Sequence, residues 1–226
     1  MPLFMVKSAW EMEVGGKTIL ICVPGMGGVS YEWACRFADL WTNRPPGTER
    51  LQLGPYVVDQ AREDGCTYAL QNGFKWIFFL DNDVLPPADI VQRLLQREKD
   101  VVSGLYIRRH QPLYPYLLKK TSENPIQFGL ITGWKAGDLV EVDACPAGCM
   151  LVSTAVLRQI PQPWFLWTAN RAPDGVSEDY FFTLKARKFG FRTFVDTAIK
   201  CKHEGRFDLV PQDDGGYSFE VVPPNP

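Results

Sequence analysis

In the first half of the chain, apolar residues alternate between short continuous runs and stretches of helical spacing. Residues 18–23 and 75–80 are almost uninterrupted apolar runs, which are typical of strands buried on both faces of a sheet. The stretch 30–41 repeats apolar residues at helical intervals and begins with Ser30, a favoured N-cap residue. Further strands are predicted near 50–58 and 101–106, and further helices over 59–72 and 86–97.

The order of these elements predicts the fold class. Strands that alternate with helices call for right-handed crossovers and a mostly parallel sheet. Residues 114–153 show short strand patterns instead, which favours a small antiparallel extension. A helix is then predicted over 177–189 and a strand over 193–196. We therefore expect an α/β protein with a Rossmann-like, mostly parallel central sheet flanked by helices.

Composition and charge narrow the class of protein. The chain has 226 residues, 46% of them hydrophobic, enough for a sizeable core in one domain. Its 24 Lys and Arg against 26 Asp and Glu give a net charge of −2, which disfavours a globally basic nucleic-acid binder. We predict a single domain over 1–207 and a tail over 208–226, which is acidic and then proline-rich.

Targeting signals and cysteines indicate the compartment. The first ten residues lack the apolar core of a signal peptide, and the apolar run 76–80 is too short to span a bilayer. The six cysteines are scattered through apolar patterns, so buried reduced thiols are expected. The alternative is that Cys145 and Cys149 form half of a zinc site. We expect a cytoplasmic protein, in the host cytoplasm if phage-encoded, with no membrane span.

A pair of carboxylates follows the strongest predicted strand. Asp81 and Asp83 come directly after the run 75–80, and ligands of open α/β sheets bind at the carboxyl ends of strands. Two carboxylates one residue apart are suited to one hard cation such as Mg²⁺ or Mn²⁺. The alternative interpretation is that both residues only cap a turn and the helix after it.

Two later segments carry further candidates. Glu178 and Asp179 open a predicted helix, where they either complement the helix dipole or supply a general base. His203 follows a short strand and precedes Gly205, so it is either a structural histidine or a metal ligand.

These segments, in this order, resemble the GT-A glycosyltransferases, and the closest likeness is to short family-two-like enzymes of phages and microbial genomes. The resemblance covers roughly residues 18–206. The residues that carry it lie in the segments 21–33, 58–62, 78–87, 102–106, 163–165, 177–182, 195–196 and 201–203.

The resemblance implies roles for individual residues. Asp81, Asp83 and His203 would hold Mn²⁺ or Mg²⁺ against the diphosphate of a nucleotide-sugar, with Asp83 the more direct ligand. Asp179 would be the catalytic base, with Glu178 beside it, in an inverting reaction. The implied donor-binding residues are Pro24, Gly25, Arg62, Asn82 and Gly104. The chain departs from the family pattern at Glu63, where many relatives carry Asn.

The resemblance also divides the domain into a nucleotide-binding half, about 18–106, and an acceptor half, about 107–207. Trp164, Trp167 and Arg108 are the candidate acceptor contacts, although the tryptophans are equally suited to core packing. The acceptor stays open among a glycan, a small molecule and a modified, for example hydroxymethylated, DNA base. The donor is expected to be a UDP- or GDP-sugar.

Two other functions fit the same architecture. A nucleotidyltransferase of nucleotide-sugar synthesis would carry a glycine-rich, basic loop after the first strand. Residues 25–28 are glycine-rich, but no Lys or Arg follows them before Arg36. The second alternative is a non-catalytic nucleotide-sugar-binding domain, which the intact set of acidic residues and His203 disfavours.

Overall fold

A computed structural model describes residues 16–25, 27–54, 57–109, 111–123, 125–169, 175–211 and 217–222, the segments 206–211 and 217–222 by their backbone alone. The helices are α1 (Tyr31–Thr42), α2 (Val58–Gln71), α3 (Ile90–Leu95), α4 (Thr154–Gln159) and α5 (Glu178–Lys188). The strands are β1 (Ile19–Pro24), β2 (Thr48–Leu53), β3 (Trp76–Leu80), β4 (Val84–Leu85), β5 (Val101–Leu105), β6 (Leu118–Glu123), β7 (Ile126–Leu130), β8 (Leu139–Val142), β9 (Cys149–Ser153), β10 (Thr193–Lys200), β11 (Lys202–His203), β12 (Arg206–Pro211) and β13 (Tyr217–Val222).

Seven strands form the central sheet, in the order β2-β1-β3-β9-β5-β10-β8. The pairs β1–β2, β1–β3 and β5–β10 are parallel, whereas β9 runs antiparallel to both β3 and β5. The edge strand β8 is antiparallel to β10. Five of the seven strands therefore run in one direction, and the predicted mostly parallel α/β fold is confirmed.

Helices cover both faces of this sheet because its inner strands are apolar on both sides. In β1, Ile19 and Ile21 pack with α1 and α3, whereas Leu20 and Cys22 pack with α2, α4 and α5. Ser30 is the N-cap of α1, as predicted, and its hydroxyl accepts a hydrogen bond from Trp33 N at 2.9 Å.

The predicted antiparallel extension is divided in the structure. Strands β8 and β9 belong to the central sheet, and β6 and β7 form a separate hairpin. The segment predicted as a tail contains a second hairpin, because β12 pairs with β13, and β12 crosses the predicted boundary at 207. A third small ladder pairs β11 with β4 and joins the segment after β10 to the loop after β3.

Two further expectations concern a zinc site at the cysteines and a membrane span. All six cysteines are free thiols, and Cys35 is the exposed one. Within the described ranges, no group of three or more His, Cys, Asp or Glu side chains is arranged to hold a metal ion, so Cys145 and Cys149 do not belong to a zinc site there. No helix in the described part of the chain is long and apolar enough to cross a membrane.

Candidate functional site

A cleft of about 530 Å³ opens at the carboxyl end of β3 and at the N-terminus of α5. It brings together residues far apart in the chain, because the loop after β3, α2, β11 and the start of α5 meet at this edge of the sheet and the segment after β5 contributes to the lining. Eight of the predicted site residues line the cleft: Arg62, Asp81, Asp83, Arg108, Trp167, Glu178, Asp179 and His203.

Backbone contacts on three sides hold the turn that carries Asp81 and Asp83. Asp81 N donates to Gly148 O at 2.9 Å, which continues the pairing of β3 with β9. Asp81 O accepts from Val84 N at 3.2 Å and from the indole Nε1 of Trp33 at 3.0 Å. The turn is therefore tied to the sheet and to α1.

The short β4–β11 ladder places His203 beside Asp83. His203 pairs with Val84 in register, and Glu204 N donates to Asp83 O at 2.8 Å. His203 Nδ1 lies 2.7 Å from Ile107 O, a carbonyl that can only accept, so Nδ1 carries the proton. The other ring nitrogen, Nε2, faces Asp83 Oδ1 at 3.7 Å. Metal-binding histidines are commonly oriented by such a second hydrogen bond.

Asp83 is ionised and partly neutralised by its surroundings. Burial acts to raise its pKa, but a hydrogen bond with His203 and the positive charge of Arg109 outweigh burial and lower the pKa. Arg109 forms an ion pair with the Asp83 carboxylate. No individual role was predicted for Arg109 from the sequence.

The donor set of Asp83 and His203 fits a divalent cation with few protein ligands. One carboxylate oxygen and one imidazole nitrogen face each other, and Mg²⁺ or Mn²⁺ commonly completes its shell with waters and phosphate oxygens. Asp81 is directed elsewhere, since its carboxylate is bound by Arg62.

Arg62 is the residue whose position differs most from expectation. The whole residue is 1% exposed, and Nη2 donates to Asp81 Oδ1 at 2.9 Å and to Oδ2 at 3.2 Å. Nε donates to Glu178 Oε1 at 3.1 Å. Burial works to lower the pKa of Arg62, but the charges of Asp81, Glu178 and Asp179 raise it above its usual value. Arg62 therefore joins the two acidic segments through Nε and Nη2, a role that no pattern in the sequence indicated, while its buried Nη1 has no hydrogen-bond partner among the described residues.

Glu178 and Asp179 lie in the first turn of α5, and both are buried. Burial and, next, the negative charge of Asp179 raise the pKa of Glu178 to about 7, against the attraction of Arg62. Burial also raises the pKa of Asp179. Asp179 Oδ1 accepts hydrogen bonds from the Ser177 hydroxyl and, at 2.8 Å, from Tyr180 N. A carboxylate of raised pKa is the stronger base, as general base catalysis requires.

Two predicted donor residues, Gly25 and Asn82, line a smaller adjacent cavity. This cavity, of about 140 Å³, lies between β2 and the start of α1, with Trp33 and Phe37 on one side. The backbones of Gly25 and Gly54 lie in close contact, because a Cβ added to Gly54 would lie 2.0 Å from the carbonyl oxygen of Gly25. Pro24 is the last residue of β1, immediately before this loop.

Gly104 and Trp164 are not at the cleft, and these two predictions are corrected. Gly104 is buried within β5, where a Cβ would meet Cys201 Sγ at 3.1 Å, so it serves packing rather than donor contact. Trp164 is 5% exposed, and its indole donates to Leu157 O and Ile160 O, so its ring cannot stack on an acceptor. Trp167, at 38% exposure, lies at the rim of the cleft.

Glu63, where the chain departs from the family pattern, has a structural role. Its carboxylate accepts a hydrogen bond from Phe165 N, and Asp59 Oδ2 accepts one from Trp167 N at 3.1 Å. These two residues of α2 hold the loop that carries Trp167 against the helix. Sequence reasoning missed this role, since it depends on a contact across more than a hundred residues.

Solved structures resemble this fold. A197 from STIV superposes with a TM-score of 0.55 at 20% identity, over 92% of this chain and 95% of that chain. GalNAc-T7, a glycosyltransferase solved with UDP, GalNAc and Mn²⁺, superposes with a TM-score of 0.52 at 9% identity. That match covers 84% of this chain and 44% of GalNAc-T7, so the chain spans less than half of that protein. No protein-family model and no curated protein sequence matches the chain. At these identities the likeness establishes a GT-A-like fold.

Proposed function

We propose that the protein is a metal-dependent glycosyltransferase that moves a sugar from a UDP- or GDP-sugar to an acceptor hydroxyl. The observation that carries the proposal is that one cleft contains both an Asp83–His203 pair and a buried Glu178–Asp179 pair. The cleft lies at the carboxyl edge of the sheet, where ligands of such folds bind. The likeness to GalNAc-T7, solved with UDP, GalNAc and Mn²⁺, supports the same assignment.

The donor would lie across the turn after β3. Its nucleoside would enter the adjacent cavity, where Trp33 and Phe37 supply an aromatic wall and Asn82 supplies an amide. Its diphosphate would reach Asp83 and His203, the residues that would hold Mn²⁺ or Mg²⁺. Such a cation acts as a Lewis acid on the negative charge that grows on the departing diphosphate.

Asp179 is the proposed catalytic base, because Glu178 is bound to Arg62 through Oε1. The hydrogen bonds described for Asp179 both fall on Oδ1, which leaves Oδ2 to accept the proton of the attacking hydroxyl. Its raised pKa makes that acceptance more favourable. A base on the enzyme suits direct attack by the acceptor, and the reaction is therefore expected to invert the configuration of the sugar.

The donor site is tested by thermal unfolding with UDP-, GDP-, dTDP- and CMP-sugars, each with and without Mn²⁺. A ligand that binds only the folded state at about 100 times its Kd raises Tm by about 5–10 °C in a chain of this size. We expect such a shift with a UDP- or GDP-sugar and only with metal. Asp83→Ala removes the shift, whereas the control Asp89→Ala, at an exposed carboxylate paired with Arg93, keeps it.

Other outcomes would redirect the assignment. A shift with nucleoside triphosphates and sugar phosphates, but with no nucleotide-sugar, would support a nucleotidyltransferase. Metal-dependent donor binding without hydrolysis or transfer of the sugar to any tested acceptor would support a binding domain. Normal metal-dependent binding by Asp83→Ala would contradict the proposed cation site.

A further inference from the structure

A second cavity adjoins the cleft on the side of α5. It has a volume of about 510 Å³ and lies between the β6–β7 hairpin and α5. Tyr114 and Tyr180 line both this cavity and the cleft, so the two spaces meet along these rings. Tyr180 directly follows Asp179 in α5. A molecule in the cavity would therefore extend toward the proposed catalytic base.

The wall of this cavity formed by the hairpin is apolar. Ile126, Phe128 and Leu130 alternate along β7 and so share one face of the strand, and all three line the cavity. Leu118 pairs with Leu130 across the hairpin and closes the base of the wall. Phe128 meets Tyr180 edge to face, with ring centroids 5.2 Å apart, so the hairpin and α5 are in contact beside the cavity.

Ring-to-ring contacts continue from this wall toward the proposed cation site. Tyr114 packs edge to face on Tyr116, Tyr116 on Tyr106, and Tyr106 on His203, with centroid separations of 5.8, 5.4 and 5.3 Å. A row of packed rings therefore runs from His203 to Tyr114, which lines the cavity.

The charged residues near this wall are paired away from it. Lys119 binds Asp143 and Lys120 binds Glu123, and none of these four lines the cavity. Among the described lining residues, the polar groups are the amide of Gln127 and the tyrosine hydroxyls. Small-molecule sites combine mostly apolar walls with a few polar groups in this way. An open apolar face of a two-stranded hairpin is otherwise unfavourable in water.

We propose that this cavity binds an apolar, ring-sized group of the acceptor, such as an aromatic aglycone, and holds the attacking hydroxyl toward Asp179. The inference rests on the proposed glycosyltransferase function. It adds that the acceptor is selected by an aromatic or similar apolar ring next to the hydroxyl that reacts.

The test uses matched pairs of 4-nitrophenyl and methyl glycosides of the same sugars. Their binding to the full chain is measured by ligand-observed NMR in the presence of UDP and Mn²⁺. Because an aromatic pair contributes up to about a tenfold gain in affinity, we expect the aryl glycosides to bind up to about tenfold tighter than the methyl glycosides. Phe128→Ala removes this preference and leaves the affinity for UDP and Mn²⁺ unchanged.

Two further variants distinguish the loss of the apolar wall from a folding defect. Leu130→Ala shortens the same wall at a side chain that is 49% exposed, and we expect it to reduce the aryl preference without loss of the folded state. Thr121→Ala, an exposed position of the same hairpin outside the cavity, leaves the preference intact. Equal binding of aryl and methyl glycosides, or a preference that survives both Phe128→Ala and Leu130→Ala, would overturn the inference. Absence of UDP and Mn²⁺ binding would instead overturn the proposed function.

Discussion

Replacing Arg62 with methionine removes the guanidinium that contacts both Asp81 and Glu178 while keeping much of the apolar stem. The Arg62 side chain is 2% exposed and that of Glu178 is 5% exposed, so the Glu178 carboxylate left behind is not rehydrated without rearrangement, whereas Asp81, with a 29% exposed side chain, already contacts solvent. Breaking a buried pair by removing one partner costs roughly 3–5 kcal/mol. That is a large part of the roughly 5–15 kcal/mol that stabilises a typical domain.

The measurement is urea denaturation of the wild type and Arg62→Met at about pH 8 and about pH 5. With a slope of about 2–3 kcal/mol per molar urea, the midpoint falls by about 1–2 M at the higher pH. The loss is smaller at the lower pH, because protonation of Glu178, whose pKa is about 7, removes one of the two unpaired charges. The control Arg36→Met breaks an exposed pair with Glu32, with N and O 3.9 Å apart, and costs less than about 0.5 kcal/mol. A loss for Arg62→Met no greater than that of the control would refute the reasoning.

Three further predictions concern the same cleft. Glu178→Gln raises Tm above the wild type at about pH 8 but not near pH 4.5. The pKa of Glu178 in the folded state, about 7, lies above the usual 4.5, so the wild type is most stable below pH 4.5. Its free energy of unfolding then decreases, by up to roughly 3 kcal/mol, as the pH rises through 7. Equal Tm differences at both pH values would contradict it. Asp179→Asn keeps metal-dependent donor binding by calorimetry and loses transfer to any acceptor that the wild type uses; lost binding would assign Asp179 a structural role. Trp33→Phe removes the hydrogen bond to Asp81 O and lowers stability by about 1 kcal/mol, a Tm decrease of about 2–4 °C, whereas an unchanged Tm would show that this bond contributes nothing.

The sequence by itself determined the elements whose signals are local. The run 75–80 is apolar on both faces, and this periodicity predicts the central strand β3 and places Asp81 and Asp83 at its carboxyl end. Ser30 predicts the start of α1, because a hydroxyl N-cap depends only on the next three residues. The order of strands and helices was enough to predict the α/β class.

Tertiary structure alone decided which residues meet. The pairing of β9 between β3 and β5 and the ladder between β4 and β11 depend on contacts far apart along the chain, and the second ladder is what brings His203 to Asp83. The same holds for Arg62, whose charge is buried because Asp81 and Glu178 converge on it. The cavity with the apolar wall likewise exists only because the β6–β7 hairpin packs against α5. Local patterns record propensity and periodicity, whereas such a site depends on the distances between side chains, which only the packed fold sets.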